Sequence, residues 1–278
     1  MAGMLYLVGT PIGNLSDFSP RGIETLRQAD FIAAEDTRVT RKLLNHFEIK
    51  KPLVSYFAHN RRESGARIIE RLLNGECCAL VSDAGMPAIS DPGEELVVLC
   101  AAHGINVICI PGPSAFVTAL SLSGLPTGRF TFEGFLSTSA KSRRVHLAEL
   151  KSEGRTMVFY EAPHKLPHTL RDMHAAWGDR RITLCRELTK RFEETIRTTL
   201  SEAMARYETE KPRGEFVLII EGAAEVDAAD TVSLEDALLR VRILTDTGEP
   251  LKGAARQVAE ETGLSKNLLY AEAVKSVF

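Results

Sequence analysis

The sequence predicts an α/β protein made of two α/β domains, a parallel-sheet domain and then a mixed-sheet domain, followed by a small helical domain of helix-turn-helix character. Three observations carry this expectation. Over the first 120 residues, short branched apolar runs alternate with helical patterns, as βαβ units do. Between residues 130 and 222 a second such pattern joins its strands sometimes by helices and sometimes by loops, so its sheet is expected to be mixed. From residue 231 onward the patterning is helical. The expected domains are therefore 1–125, 126–225 and 231–278, with residues 223–232 as a linker.

The elements follow in order. LYLV (5–8), ADFIAA (29–34), PLVSYF (52–57), CCALV (77–81) and INVICI (105–110) are the strands of the first sheet. Between them, Pro20 to Gln28 opens after Ser19 as N-cap, with proline at the first helical position. Helices over Thr37 to Phe47, Arg61 to Leu73 and Gly93 to Ala102 follow, and Asn74-Gly75 and His103-Gly104 stop the last two. The second sheet is assigned to FTFEGF (130–135), RTMVFYE (155–161), RITLCREL (181–188) and EFVLIIEG (215–222), with helices around 139–153 and 163–177. Three more helices follow, Leu234 to Leu244, Leu251 to Glu261 and Ser265 to Val277, the last two as a helix-turn-helix pair about Thr262-Gly263.

Composition narrows the function classes. The chain has 278 residues, 44% hydrophobic and 26% charged, with net charge −3, which argues against a uniformly basic nucleic-acid binder. No run approaches the ~18 apolar residues of a membrane span. The first thirteen residues lack the basic flank of a signal peptide. Five cysteines without CxxC spacing are expected to be small, mostly buried residues of a reducing compartment, and the protein to be cytoplasmic. His164 and His168 are separated by Pro167 and have no partner cluster, so no metal site is expected.

In an open parallel sheet, ligands bind beyond the carboxyl ends of the strands. There the sequence places GTPIGNLSD (9–17), EDTR (35–38), AHNRR (58–62), SDAGMPAISDPG (82–93) and PGPSA (111–115). Five polar, Gly/Pro-rich loops in succession indicate a cleft lined by backbone groups. GxGxxG, a P-loop and a GxSxG elbow are all missing from the sequence. Such a surface suits a flat, polar, zwitterionic ligand with an adenine and a ribose, and Asp83, Asp91 or Glu35 could face a cation. The residues alone do not identify it. Within SDAGMPAISDPG the expectation is a division of labour: Asp83 faces the ligand, while Asp91 caps the next helix with Pro92 at its first position.

YLVGTPIGNL, AEDTR, SDAGMPAISDPG, PGPSA, EAPHK (161–165), RELTKRFEE (186–194) and GEFVLIIEG (214–222) occur in this order and spacing. Together they resemble the tetrapyrrole-methylase superfamily over about residues 4–222. Within it they are similar to a bacterial group of small-subunit ribosomal RNA methyltransferases. Lys165 is the one departure, standing where an arginine is expected. The resemblance implies a homodimeric S-adenosylmethionine-dependent methyltransferase, with the cofactor in the cleft between the two α/β domains. Its implied product is a 2′-O-methylated cytidine in 16S rRNA within the small ribosomal subunit. It also carries cofactor contact to Pro11, Ile12, Asp83, Met86, Ser114 and Ala115, and in the second domain to Ala162, Leu188 and Glu215.

A ribose 2′-hydroxyl is a weak nucleophile, and a base would help its methylation. The candidates at the strand ends are Glu35, Asp36, His59 and Asp83. Glu35 or His59 is expected to face the hydroxyl, and Asp36 is expected to pair with Arg38. For RNA phosphates the sequence offers KSRR (141–144), the basic stretch 180–191, and Arg61 with Arg62. Two other readings stay open. One is methylation of a small porphyrinoid, itself a polyanion. The other is a cofactor-sensing regulator that binds DNA through 233–278 without turnover.

Overall fold

The computed structural model describes residues 2–224 and 232–275. It forms two compact units that divide at Ala223. The first unit holds two five-stranded sheets.

The first sheet contains β1 (Met4–Val8), β2 (Phe31–Ala34), β3 (Leu53–Ser55), β4 (Cys78–Val81) and β5 (Asn106–Ile110), in the order β3-β2-β4-β1-β5. Every pairing is parallel. Continuous apolar runs make this possible, because a parallel strand is covered on both faces; each residue of β2 and β4 is buried. On one face Leu5, Phe31 and Leu80 pack with Ile68 and Leu72 of α3 (Arg61–Leu73) and Leu96 of α4 (Glu94–Ala102). On the other, Val8, Ile32 and Val81 pack with Leu26 of α1 (Pro20–Gln28) and Leu44 of α2 (Thr37–His46). Ser19 caps α1 as expected, its Oγ accepting from the Gly22 N–H at 3.0 Å.

After β5 comes α5 (Ala115–Leu122), which leaves the first sheet. Its Ala119 and Leu120 pack on Val158, Cys185, Val217 and Ile219 of the second sheet. That sheet contains β6 (Phe130–Phe135), β7 (Thr156–Glu161), β8 (Arg181–Arg186), β9 (Glu194–Thr199) and β10 (Phe216–Ile220), in the order β6-β7-β10-β8-β9. It is mixed, as the sequence implied: β6 and β7 are parallel, and the other pairings are antiparallel. The face opposite α5 packs against α6 (Ala140–Glu149), α7 (Leu166–Trp177) and α8 (Leu200–Thr209) through Leu147, Leu170, Met173 and Tyr207.

Sequence reasoning missed β9 and α8. ETIRTT is polar and forms the outer strand, where one edge faces water and burial does not enforce an apolar run. Two further expectations need correction. Cys78, Cys100 and Cys185 are buried, but Cys109 is exposed, because β5 is an edge strand. And Asp91 does not cap α4: the N-cap is Gly93, at φ +148°, and no side chain caps the helix.

The second unit consists of α9 (Leu234–Asp246), α10 (Leu251–Thr262) and α11 (Lys266–Lys275) around Ala237, Val241, Ala254, Ala255, Val258 and Leu269. Gly263 ends α10 in the left-handed conformation that its lack of Cβ permits. Residues 225–231 of the expected linker, and Val277 in the expected last helix, lie outside the described residues.

Candidate active site

The strand-end loops are locked together by close backbone approach. Thr10 and Gly85 form an isolated antiparallel bridge, and Thr10 Oγ1 donates to the Ser82 carbonyl at 3.2 Å. A Cβ on Gly9 would stand 2.6 Å from Met86 Sδ, and one on Gly112 would stand 2.7 Å from the Gly9 carbonyl oxygen. The glycines of GTPIG and PGPSA are thus required for the two loops to touch. A Cβ on Gly13 would stand 2.8 Å from Thr189 Oγ1, so the first loop also abuts the loop after β8. Ala88, Ser90, Glu187 and Thr189 hold positive φ angles beside these contacts, a strain that ordinary turns avoid.

Between these loops and the second sheet lies a cavity of about 470 Å³. Ile12, Glu35, Asp83, Met86, Ser114, Ala115, Ala162, Leu188 and Glu215 all line it. Of the residues expected in the site, Pro11 and His59 do not. Pro11 turns the chain one residue before Ile12. His59 is exposed in the turn before α3, edge-on to Phe57.

Three carboxyl groups give the cavity its electrostatics. Glu35 is pushed above the ordinary carboxylate range, by burial first and then by Asp91 and Asp83. Asp83 is raised by burial, against the Asp36 N–H that donates to its Oδ1 at 3.0 Å. Asp91 is raised to about 6, again chiefly by burial, although the Ser82 hydroxyl bonds it. Asp36, by contrast, is held at about 2 by Arg38, whose guanidinium lies 2.6 Å away. Asp36 also caps α2 through the Arg38 N–H. The Asp36–Arg38 pair therefore fixes its loop, as expected.

The opposite wall is aromatic and closed by a buried acid. Phe116, Phe135 and Tyr160 line it, the last two with ring centroids 5.3 Å apart. Glu161, 2% exposed, accepts from the Ala162 N–H at 2.8 Å and from the Thr169 hydroxyl at 2.5 Å. Lys165, the departure from the family pattern, lies 4.0 Å from Glu161 and over the Phe135 ring. Sequence reasoning passed over Tyr160 as a site residue and, having offered Asp91 as a group that could face a cation, assigned it to the helix cap instead. Asp91 carried a competing capping signal, and Tyr160 looked like one more apolar residue in a buried strand.

The expected basic patches are mostly neutralised. Arg143 is buried, 2.6 Å from Asp172, which also binds Arg144. Arg181 pairs with Glu221, Arg186 with Glu194, and Lys190 with Glu187.

Fold and cavity together define a two-sheet α/β protein with an acidic, aromatic cleft at its strand ends. The chain belongs to the tetrapyrrole (corrin/porphyrin) methylases, whose family pattern matches residues 4–204. The RsmI C-terminal HTH domain matches residues 232–276. A ribosomal RNA small subunit methyltransferase I from Halalkalibacterium halodurans is 51% identical over 96% of this chain and 93% of its own. Among solved structures, cobalt precorrin-4 methyltransferase superposes with TM-score 0.60 at 18% identity, over 78% of this chain and 94% of its own. A uroporphyrin-III C-methyltransferase from Thermus thermophilus, complexed with S-adenyl homocysteine, gives 0.55 at 18%, over 78% and 97%. These two likenesses show the fold alone.

Proposed function

We propose that the chain methylates the 2′-hydroxyl of a cytidine in 16S rRNA of the small ribosomal subunit, using S-adenosylmethionine. The observation that carries this reading is the cavity at the strand ends, taken with full-length relatives named as small-subunit rRNA methyltransferases. The cavity suits the cofactor. Its volume lies in the usual range for small-ligand sites. Its carboxylates supply negative charge for a sulfonium or amino group, and its aromatic wall offers a face for adenine.

The cofactor supplies an activated methyl group for in-line displacement, which leaves the protein to position, desolvate and accept a proton. Glu35 is the proton acceptor we assign. It lines the cavity at the end of β2, and burial has raised its basicity. Asp83 and Asp91 supply negative charge toward the cationic ligand. His59 lies outside the cavity wall and takes no part in this assignment.

The three-domain division at 125 and 225, the homodimer and a cytoplasmic location belong to the same proposal. Exposed apolar side chains at Ile108, Val117 and Phe130 are the kind of surface a second copy would cover. Among the described residues, no helix is long and apolar enough to cross a membrane.

The deciding experiment supplies labelled cofactor with small subunits from cells lacking the protein, with naked rRNA, or with a porphyrinoid. The expected product is 2′-O-methylcytidine in the subunits, read by nucleoside mass spectrometry. Label in the porphyrinoid alone would move the reading to a small-molecule methylase. Sequence-specific DNA binding without any turnover would favour a regulator.

A further inference from the structure

Two large apolar side chains on the wall of the strand-end cavity stand half in water. Phe135 is 55% exposed and Ile89 is 48% exposed, and both line that cavity. Phe135 closes β6 in the second sheet, and Ile89 belongs to the loop after β4 in the first. The backbone is irregular at both places.

In β6, strict alternation would put Phe132 and Phe135 on opposite faces. Instead the register against β7 shifts between Phe132 and Gly134, which makes Glu133 the extra residue of a β-bulge. Glu133 turns to α6, where it meets His146 at 3.0 Å. Gly134 takes φ +63°, and Phe135 returns to the face of Phe132. Both rings then meet Tyr160, with centroids 5.1 and 5.3 Å away. Bulges beside active sites re-aim side chains in this way. A Cβ on Gly134 would stand 3.3 Å from Ser90 Oγ, so the bulge abuts the loop that carries Ile89. There Ala88 and Ser90, at φ +69° and +62°, hold left-handed conformations on either side of Ile89. Such strain persists only where the surroundings enforce it.

The chemistry of the acceptor says what these side chains receive. A nucleobase is attached to the ribose carbon next to the one that bears the 2′-hydroxyl. A ribose presented to Glu35 therefore brings its base into the same cavity, which Phe135 and Ile89 share with Glu35. A base taken out of folded RNA loses its stacking neighbours, and an aromatic side chain replaces them. The adenine of a cofactor has a different demand, because a small-ligand site buries most of its ligand. Phe116 and Tyr160, both less exposed than Phe135, are the part of the aromatic wall that meets it. Phe135 stays open for a group that arrives and leaves with the substrate.

We propose that Phe135 and Ile89 form a slot for the base of the methylated nucleotide, with the Phe135 ring stacked on the cytosine and Ile89 covering its other face. The slot orients the attached ribose toward the methyl donor. The inference rests on the RNA-methylation reading given above.

The test is steady-state methylation of unmodified small ribosomal subunits by the full-length protein at saturating S-adenosylmethionine, with cofactor affinity measured separately by calorimetry. Phe135→Ala is expected to lower kcat/KM for subunits about ten- to a hundredfold, the worth of one base–aromatic stack. Phe135→Leu keeps apolar bulk without a flat face and should lose most of the same factor. Phe135→Tyr keeps the ring and should recover kcat/KM to within about threefold of wild type. Ile89→Ala should lower kcat/KM about three- to tenfold, through the aliphatic cover it removes. Cofactor Kd should stay within about twofold of wild type in all four variants. Both side chains are half exposed, so their truncation leaves the cores intact. An unchanged kcat/KM in either alanine variant would overturn the slot. So would a Phe135→Leu protein as active as Phe135→Tyr, which would make Phe135 mere apolar cover. A loss of cofactor affinity that matches the loss of kcat/KM in Phe135→Ala would give the ring to adenine and overturn it too. In each of these cases wild-type turnover leaves the RNA reading standing. A wild-type protein that binds cofactor but never modifies subunits would overturn the RNA reading, and the slot with it.

Discussion

Thr10 and Gly85 exchange both backbone hydrogen bonds: the Thr10 N–H donates to the Gly85 carbonyl at 2.9 Å, and the Gly85 N–H donates back at 3.1 Å. This bridge joins the loops after β1 and β4, and the buried Thr10 hydroxyl reinforces it through Ser82. Thr10→Val keeps the shape but strands the Ser82 carbonyl, and is expected to cost about 1–2 kcal/mol. Gly85→Ala forces a side chain into φ +89° with Ile12 Cγ2 at 3.4 Å. It should cost about 1–3 kcal/mol and weaken cofactor binding. Urea denaturation and calorimetry check both.

Glu35 and His59 separate by activity. Glu35→Gln should lower the single-turnover rate at saturating cofactor by about a hundredfold or more, the loss of a general base. His59→Ala should leave that rate near wild type. Rapid-quench methylation assays read both, and a near-normal rate in Glu35→Gln would remove Glu35 from the mechanism.

Asp91 makes stability and binding depend on pH. Its ordinary value is 3.8 and its folded value about 6, so folding takes up a proton between these limits. Stability is therefore greatest below this window and falls as pH rises through it. Asp91→Asn should make that fall shallower in thermal melts, leaving the smaller part that the raised Glu35 and Asp83 contribute. In its ionised form Asp91 attracts a cation. Affinity for S-adenosylmethionine should therefore rise across this window relative to neutral S-adenosylhomocysteine, and the variant should lose the difference.

Arg143 and Arg144 are neighbours in sequence with different fates. Arg143 is 8% exposed and binds Asp172 and the Ser137 carbonyl. Arg143→Ala leaves the buried Asp172 carboxylate with only the exposed Arg144 as partner and should cost about 2–4 kcal/mol. Arg144 is exposed, and its alanine variant should cost under about 1 kcal/mol. Chemical denaturation of the two variants reads the contrast.

Much of this molecule was legible along the chain, and the rest failed for identifiable reasons. The central strands of the first sheet are covered on both faces, so each left an apolar run, and the loops beyond the strands left Gly/Pro motifs. The resemblance those motifs carry led to Ile12, Asp83, Met86 and Ser114, which line the cavity wall. Edge strand β9 left no such run. Asp91 looked like a cap because Pro92 follows it, but the positive φ of Gly93 starts the helix later and frees Asp91 for the cavity wall. Arg143 looked like surface because its partner, Asp172, lies on another helix. His59 sits at the end of a strand as the rule requires, yet the turn carries it into solvent.

The strand order also governs how the chain is made. Met4–Val8 lies between strands that begin at Cys78 and Asn106. The first strand synthesised thus has neither neighbour until the chain has grown past Val81, and lacks its second until past Ile110. At ordinary translation speeds that delay is on the order of ten seconds. For that time an apolar segment with at least one unpaired edge must wait in the cell, and such non-local pairing is slow even once its partners exist. Newborn chains of this fold are a natural load for holding chaperones, and their yield should be more sensitive to the pace of translation than to the stability of the finished protein.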